Sequence, residues 1–390
     1  MSDVPRVVAF RNPDAYAGAS QALAGLPVPD CAGTTVLLKP NAGRAVEPFT
    51  GITTHPQVVA AAIDFFQQLG ATVRVAESPI LGFTAKETFQ STGITQVAAQ
   101  RHVELIDLDA RPPKSIPVPH GRVLSKLRIC PDVLEADLVV SIPVMKTHMH
   151  TVVSLGLKNM KGCLHSREKV RLHQLDRPAG FPDNIKTLDA AIADLAEVLL
   201  PDFTLIDGAI GLEGLGPSAG SAKPVGLFVA GVDCLAVDAV AAYLMGFDPS
   251  EVPHLRLAAQ ATGRCIETQA IATEPARLDS LVNPFAPAPT ELSVEYPGVV
   301  VHDCDSCSAC LSTVVMLLQR YRTELLDYAG PDRKFHIALG KSVENIPPGT
   351  VLIGNCTATR KAHNLFVKGC PPVASDIFAA IRKADKKHLL

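Results

Sequence analysis

Two sets of residues in this sequence are equipped for chemistry, and the first is sulfur. Five of the ten cysteines fall between Cys304 and Cys370. The run Asp303-Cys304-Asp305-Ser306-Cys307-Ser308-Ala309-Cys310 holds two overlapping Cys-x-x-Cys pairs. Gly354-Asn355-Cys356 and Gly369-Cys370-Pro371-Pro372 add one thiol each. A Cys-x-x-Cys pair offers two soft thiolates at once, and a helix opening behind it favours their negative charge. Four thiolates suit zinc as well as an iron–sulfur centre. No second Cys-x-x-Cys knuckle follows, however, and a cysteine followed by proline recurs at iron–sulfur sites. The expectation is a 4Fe-4S cluster. Cys31, Cys130, Cys163, Cys234 and Cys265 read as ordinary core residues.

The second set is cationic. Leu38-Lys39-Pro40-Asn41 ends one apolar run, and Val75-Ala76-Glu77 ends the next. Ile142-Pro143-Val144-Met145-Lys146-Thr147-His148 continues to Leu157-Lys158-Asn159-Met160-Lys161-Gly162. Ile206-Asp207-Gly208 leads into Glu213-Gly214-Leu215-Gly216-Pro217-Ser218-Ala219-Gly220. Lysine meets phosphate or carboxylate as a point charge. Lys39, Asn41, Lys158, Asn159 and Lys161, with the backbone of the glycine-rich loop at Gly216, are therefore candidates for an anion-binding crevice. Lys146, His148, Glu77 and Glu213 are the candidate acids and bases. Asp207-Gly208 also fits a plain turn. His55 fits a helix cap, Asp238 fits a satisfied buried carboxylate as well as a functional one, and His150, His165 and His173 fit the surface.

These residues need a scaffold that brings chain ends to one edge. Short apolar runs alternate with helix-length amphipathic segments, as βαβ units do. Strands are expected at Thr35–Leu38, Thr72–Ala76, Val103–Leu108, Ala136–Ile142, Phe203–Ile206 and Val225–Ala230. Helices are expected at Pro56–Leu69, Ala85–Thr92, Ile94–Arg101, Lys186–Leu200 and Cys234–Leu244. The fold class is α/β, a mostly parallel doubly wound sheet covered on both faces, with a second, smaller α/β domain. The proline-rich segment Thr273–Pro297 is the expected linker, dividing 1–295, with the crevice, from 296–390, with the cluster. The smaller domain is expected to run strand Val299–His302, helix Leu311–Tyr321, strands Phe335–Leu339 and Thr350–Ile353, and helix Val373–Lys383. Lysines and cysteines both stand where strands hand over to helices, the usual place for ligands in such sheets.

Composition excludes several functions. A net charge of −3 gives no field for nucleic acid or an anionic membrane, and five tyrosines, fourteen phenylalanines and no tryptophan offer little to stack on bases. The longest apolar stretch, Leu227–Gly246, contains Asp233 and Asp238 and fits a strand followed by a buried helix better than a bilayer span. Met1–Phe10 lacks the basic and apolar regions of a leader. The expectation is a cytoplasmic protein with neither a membrane nor a nucleic-acid partner; a homo-oligomer is left open. No Gly-x-Gly-x-x-Gly follows the first strand, so a nucleotide-binding dehydrogenase is disfavoured.

The lysine motifs together resemble the prokaryotic family catalogued as domain of unknown function 362. Its signature runs Pro-x-x-Lys-Thr-His, Lys-Asn-x-x-Gly, Asp-Gly and Glu-Gly-x-Gly-Pro, here across roughly 35–265. Some members carry cluster-binding cysteines in an added region. The C-terminal trio CSACL, IGNC and GCPPVASDIFAAI resembles the proximal-cluster domain of nickel–iron hydrogenase small subunits and the matching subunit of NADH:quinone oxidoreductase. That resemblance implies Cys307, Cys310, Cys356 and Cys370 as ligands and leaves Cys304 outside, although Cys304 and Cys307 make an equally good pair on spacing. The function expected is an iron–sulfur redox enzyme passing electrons to a small anionic organic substrate, supplied by a redox partner such as a ferredoxin or a reductase. A cluster-dependent lyase, isomerase or dehydratase, and an electron carrier, are the alternatives.

Overall fold

The computed structural model describes residues 4–28, 30–182, 184–288, 296–304, 306–328, 334–341 and 343–384. Part of the expected linker, including the boundary at 295, lies outside them, as does Asp305. The chain divides into two compact units: residues 1–213 with 221–287, and residues 214–220 with 288–390.

In the first unit the strands are β1 (Arg6–Arg11), β2 (Thr35–Pro40), β3 (Thr72–Glu77), β4 (Glu104–Asp107), β5 (Lys114–Pro117), β6 (Lys126–Ile129), β7 (Leu138–Ile142), β8 (Val144–His148), β9 (Val152–Ser154), β10 (Phe203–Glu213), β11 (Ser221–Gly231) and β12 (Ala272–Glu274). Ten of them form one sheet, in the order β12-β1-β11-β10-β7-β2-β3-β4, with β8 joined to β10 and β9 to β8. The stretch from β10 through β7, β2 and β3 to β4 is parallel, and β11 runs antiparallel between β1 and β10. The fold class expected from the alternation is the one observed.

Side chains alternate across a strand, so a strand apolar at every position needs cover on both faces. Val36 and Leu38 of β2 enter one core and Leu37 the other; Val140 and Val139 of β7 divide in the same way. Helices α1 (Ala15–Ala24), α2 (Pro56–Gln68), α3 (Ala85–Ser91) and α4 (Ile94–Gln100) serve the first core. The short α5 (Pro131–Glu135), α6 (Gly156–Asn159) and α7 (Glu168–Arg171), with α8 (Thr187–Leu195), α9 (Cys234–Leu244) and α10 (Pro253–Thr262), lie among or beside the residues of the second. His55 caps α2, its ring nitrogen accepting from Gln57 N at 3.1 Å, and Pro56 fills the first turn. The apolar stretch Leu227–Gly246 is the end of β11 followed by α9. Among the described residues no helix is long and apolar enough to cross a membrane.

Two local expectations are corrected. Lys146, Thr147 and His148 stand within strand β8, buried along its whole length, and not in a loop after β7. Lysine, threonine and histidine hide the apolar signature of a buried strand, because their polar atoms are satisfied internally. Asp207-Gly208 is no turn: β10 runs on to Glu213 with a bulge between Gly208 and Ile210. A Cβ on Gly208 would lie 2.3 Å from Leu227 O, which explains the glycine.

The second unit carries an all-parallel sheet of β13 (Val299–Cys304), β14 (Phe335–Gly340), β15 (Val351–Ile353) and β16 (Leu365–Val367), in that order. Helix α11 (Ser308–Leu326) opens directly after Cys307, and α12 (Ala374–Lys383) follows the Cys370 turn. Tyr321 and Phe378 stack at 4.2 Å between the two helices.

Candidate functional site

The ends of β2 and β3 set the floor of the site. Lys39 is 1% exposed, and its Nζ lies 2.8 Å from Glu77 Oε1 and 2.9 Å from Oε2. The same ammonium donates to Pro40 O at 2.7 Å. Glu77 is filled from every side, accepting from Ala42 N at 2.7 Å and Ser78 N at 2.8 Å as well. Asn159 of α6 donates to Lys39 O at 2.9 Å and to Ser141 Oγ at 3.1 Å, which ties the helix to the strand ends. Gly162 closes over the ion pair. A Cβ there would meet Lys39 Nζ at 2.7 Å and Glu77 Oε1 at 2.9 Å.

Lys146 stands beside this pair. Its Nζ donates to Asn41 Oδ1 at 3.1 Å and to Ile52 O at 2.8 Å. Burial, then the nearby charges of Arg44 and Lys39, bring its pKa down to about 7, against the pull of Asp207 and Glu77. Asp207 is pushed up to about 6 by burial, although His55 N and Ala209 N donate to its two oxygens at 2.7 and 2.9 Å. Two interacting groups of opposite charge type thus sit close to neutrality, as acid–base work requires.

A basic group adjoins Lys146 along β8. His148, two residues on and so on the same face of the strand, accepts from His150 N at 3.1 Å and Thr151 N at 3.3 Å through Nδ1. Lys158 donates to Thr151 Oγ1 at 2.8 Å and Ser154 Oγ at 3.1 Å. Lys161 Nζ contacts His173 Nε2. The His148 and His150 rings are 6.1 Å apart. Burial lowers His148 most, and the charges that add to it are Lys158, His150, His173 and Lys161, all basic. Lys158 is held well below its ordinary value by burial and by Lys161, with Asp189 opposing. His173 is lowered by burial, then Lys161, Lys158 and His150.

The structure thus joins Lys39, Asn41, Glu77, Lys146 and Asn159 in one hydrogen-bonded network, links His148 to Lys158 through Thr151, and sets Lys161 against His173. Glu213 is elsewhere, at the end of β10 in a 2.9 Å ion pair with Lys223 and accepting from Ala286 N at 3.0 Å. Gly216 belongs to the second unit. Asp238 is a satisfied carboxylate, accepting from Gly156 N at 2.6 Å and Leu157 N at 2.9 Å, and it holds the start of α6. His150 and His173, expected at the surface, join the basic group instead. Neither carries a signal of its own in the sequence: His150 lies in the turn after β8, and chain folding alone brings His173 to Lys161.

In the second unit, Cys310 is buried at the start of α11. Its thiol is pushed up by a hydrogen bond with Cys307, then by burial, then by the charges of Cys307, Cys370 and Cys356. The turns carrying the last two are stitched together: Asn355 N donates to Gly369 O at 2.9 Å and Gly369 N to Asn355 Oδ1 at 3.1 Å. A Cβ on Gly354 would lie 3.1 Å from Cys310 Sγ. Cys304 instead packs with Ile346 and Phe366 against the small core of Ala338, Val343 and Leu352. Among the described residues no three His, Cys, Asp or Glu side chains form a group already set to hold a metal ion. Cys307, Cys356 and Cys370 all act on the Cys310 thiol, and all four are sulfur donors, the type that iron–sulfur clusters take.

The fold and these sites define an α/β protein with a lysine-rich centre at its strand ends and a separate cysteine-bearing unit. Residues 36–243 match the family described as Domain of unknown function (DUF362), more than half of the chain, and the chain belongs to that family. The match ends before the second unit's cysteines. The thylakoid-associated protein sll1697 of Synechocystis sp. is 28% identical over 227 residues, which cover 57% of this chain and 66% of that protein. The chain thus matches a little under two thirds of that relative's length. A more remote likeness joins 88% of this chain to 70% of the lactate racemase apoprotein of Thermoanaerobacterium thermosaccharolyticum, at 14% identity and a TM-score of 0.40.

Proposed function

We propose that this protein is an iron–sulfur enzyme acting on a small organic anion. The observation that carries the reading is on β8, where Lys146, poised near neutrality, shares a strand face with His148 and its basic neighbours Lys158, Lys161 and His173. The basic group attracts the anion and orients it. Neutral Lys146, braced by Asn41 and Ile52 O, takes or returns a proton, and Asp207 sets the field in which it does so. Lys39 and Glu77, fully used by each other and by backbone, position that arrangement.

Cys307, Cys310, Cys356 and Cys370 are the residues that would hold a 4Fe-4S cluster, which supplies single electrons when bound. The resemblance to the hydrogenase proximal-cluster domain supports this ligand set, and the packing of Cys304 on apolar residues supports leaving it out. On this reading the chemistry is redox, fed by a ferredoxin or a reductase. A second reading, a lyase, isomerase or dehydratase, is favoured by the Lys146–Asp207 pair, since proton transfer alone needs no electron source.

The test is a thermal-stability screen of the anaerobically isolated full chain against small carboxylates and phosphate compounds. Stabilisation by at least one of them, weakened by Lys158→Gln, is expected; a screen in which no anion stabilises the protein overturns the reading.

A further inference from the structure

We propose that Cys130 and Cys163 are a redox pair, closing to a disulfide that pins the Lys-Asn-x-x-Gly segment to β6. The fold brings the two together at one point. Ile129, the last residue of β6, forms an antiparallel bridge with Leu164. Two backbone hydrogen bonds flank that bridge, Cys130 N to Cys163 O and His165 N to Arg128 O, each 3.0 Å long. Cys130 and Cys163 are therefore the next facing pair. Facing residues of an antiparallel pair carry their side chains on the same face. When hydrogen-bonded, their Cα atoms stand about 5.5 Å apart, inside the span of about 4.4–6.8 Å that disulfides take. The sulfurs also act on one another: after burial, Cys163 is the largest influence raising the Cys130 thiol.

Both side chains are at 0% exposure, and burial pushes the Cys163 thiol up to about 12. Each is held as an unreactive thiol while the structure is closed. β6 pairs with β5 in a two-stranded sheet apart from the large one, and its bridge to Leu164 is an isolated one. So small an attachment opens at less cost than the whole fold, and its opening uncovers both sulfurs. With a peroxide as oxidant, one thiolate attacks a peroxide oxygen and becomes a sulfenic acid as hydroxide leaves. The second thiolate attacks that sulfur, the S–S bond forms, and a second hydroxide leaves. The two protons given up by the thiols turn both hydroxides into water. Two thiols thus lose two electrons and two protons, and the peroxide becomes two waters.

The lysine-rich centre feels the link through the chain. Cys163 directly follows Gly162, where a Cβ would meet Lys39 Nζ and Glu77 Oε1, and Gly162 follows Lys161. Reduced, this segment parts from β6 whenever the bridge opens; oxidised, it is held there.

The test treats the anaerobically isolated full chain with hydrogen peroxide, raised until the half-buried Cys265 is modified. Remaining thiols are alkylated in denaturant, and the chain is digested without reductant for mass spectrometry. The expected product is a peptide pair joined through Cys130 and Cys163, lighter by two hydrogens and separated by dithiothreitol. Cys31 and Cys234, buried elsewhere in the same unit, are recovered alkylated. In the oxidised protein the amides of Cys130 and His165, which bond across the bridge, exchange with deuterium at least about tenfold more slowly. Dithiothreitol restores the faster rate, and Cys163→Ser abolishes the joined peptides. Both thiols still free once Cys265 is modified, either one oxidised singly or joined to a different cysteine, or exchange unchanged after the link forms, overturns the inference. Mapping of the wild-type chain decides the matter even if the variant does not fold.

Discussion

Lys146 and Glu77 show how the same neighbourhood gives two charged residues different work. Glu77 accepts from Lys39, Ala42 N and Ser78 N, so its oxygens are committed to holding strand ends together. Lys146 has two neutral acceptors and cationic neighbours, so its ammonium is disfavoured and its free base is accessible near neutral pH. That difference has a thermodynamic consequence. The pKa of Lys146 is about 7 in the folded protein and 10.5 ordinarily, so between those values the unfolded chain binds more protons. Stability must rise with pH through this window. The difference between wild type and Lys146→Met isolates the contribution: relative to the variant, the wild-type denaturant midpoint climbs from about pH 7 toward pH 10.5. Parallel profiles for the two proteins contradict the assignment.

At the scale of elements, short pieces of structure place the site. α6 is pinned at its start by Asp238 and tied to β2 and β7 by Asn159, so Lys158 and Lys161 are presented by a rigid turn. Gly162 ends the segment where a Cβ would press on the ends of Lys39 and Glu77 and displace their ion pair. Gly162→Ala should cost about 1–3 kcal/mol in chemical denaturation, the usual penalty for forcing an added group into a packed site; an unchanged midpoint contradicts this account of the Lys-Asn-x-x-Gly motif. The glycine and both lysines were visible in the sequence as a motif, and the strands β2, β3 and β7 as apolar runs. Strand β8 was not, because Lys146 and His148 break the pattern that betrays a buried strand. Nor was His173, which reaches Lys161 through folding and not through spacing. Glu213 looked equivalent to Glu77 in sequence, yet only Glu77 ends a strand flanked by parallel neighbours on both sides; Glu213 ends the longer β10 against Lys223 of β11.

At the scale of the whole molecule, the chain joins an α/β unit with a buried lysine-rich centre to a smaller unit that carries five of the ten cysteines. Apolar packing accounts for most of both. What packing does not account for is the gathering of Cys307, Cys310, Cys356 and Cys370, three chain segments meeting at one end of a four-stranded sheet. The spacing of those cysteines already pointed to metal, and Cys304 packs against the small core of the unit. The account of this protein as an iron–sulfur enzyme is tested most directly by iron and sulfide analysis with electron paramagnetic resonance on the anaerobically isolated full chain. About four irons and four sulfides per chain are predicted, with a reducible signal that disappears in Cys310→Ala and persists in Cys304→Ala. Stoichiometric zinc in place of iron, or iron that survives Cys310→Ala and is lost with Cys304→Ala, would contradict it.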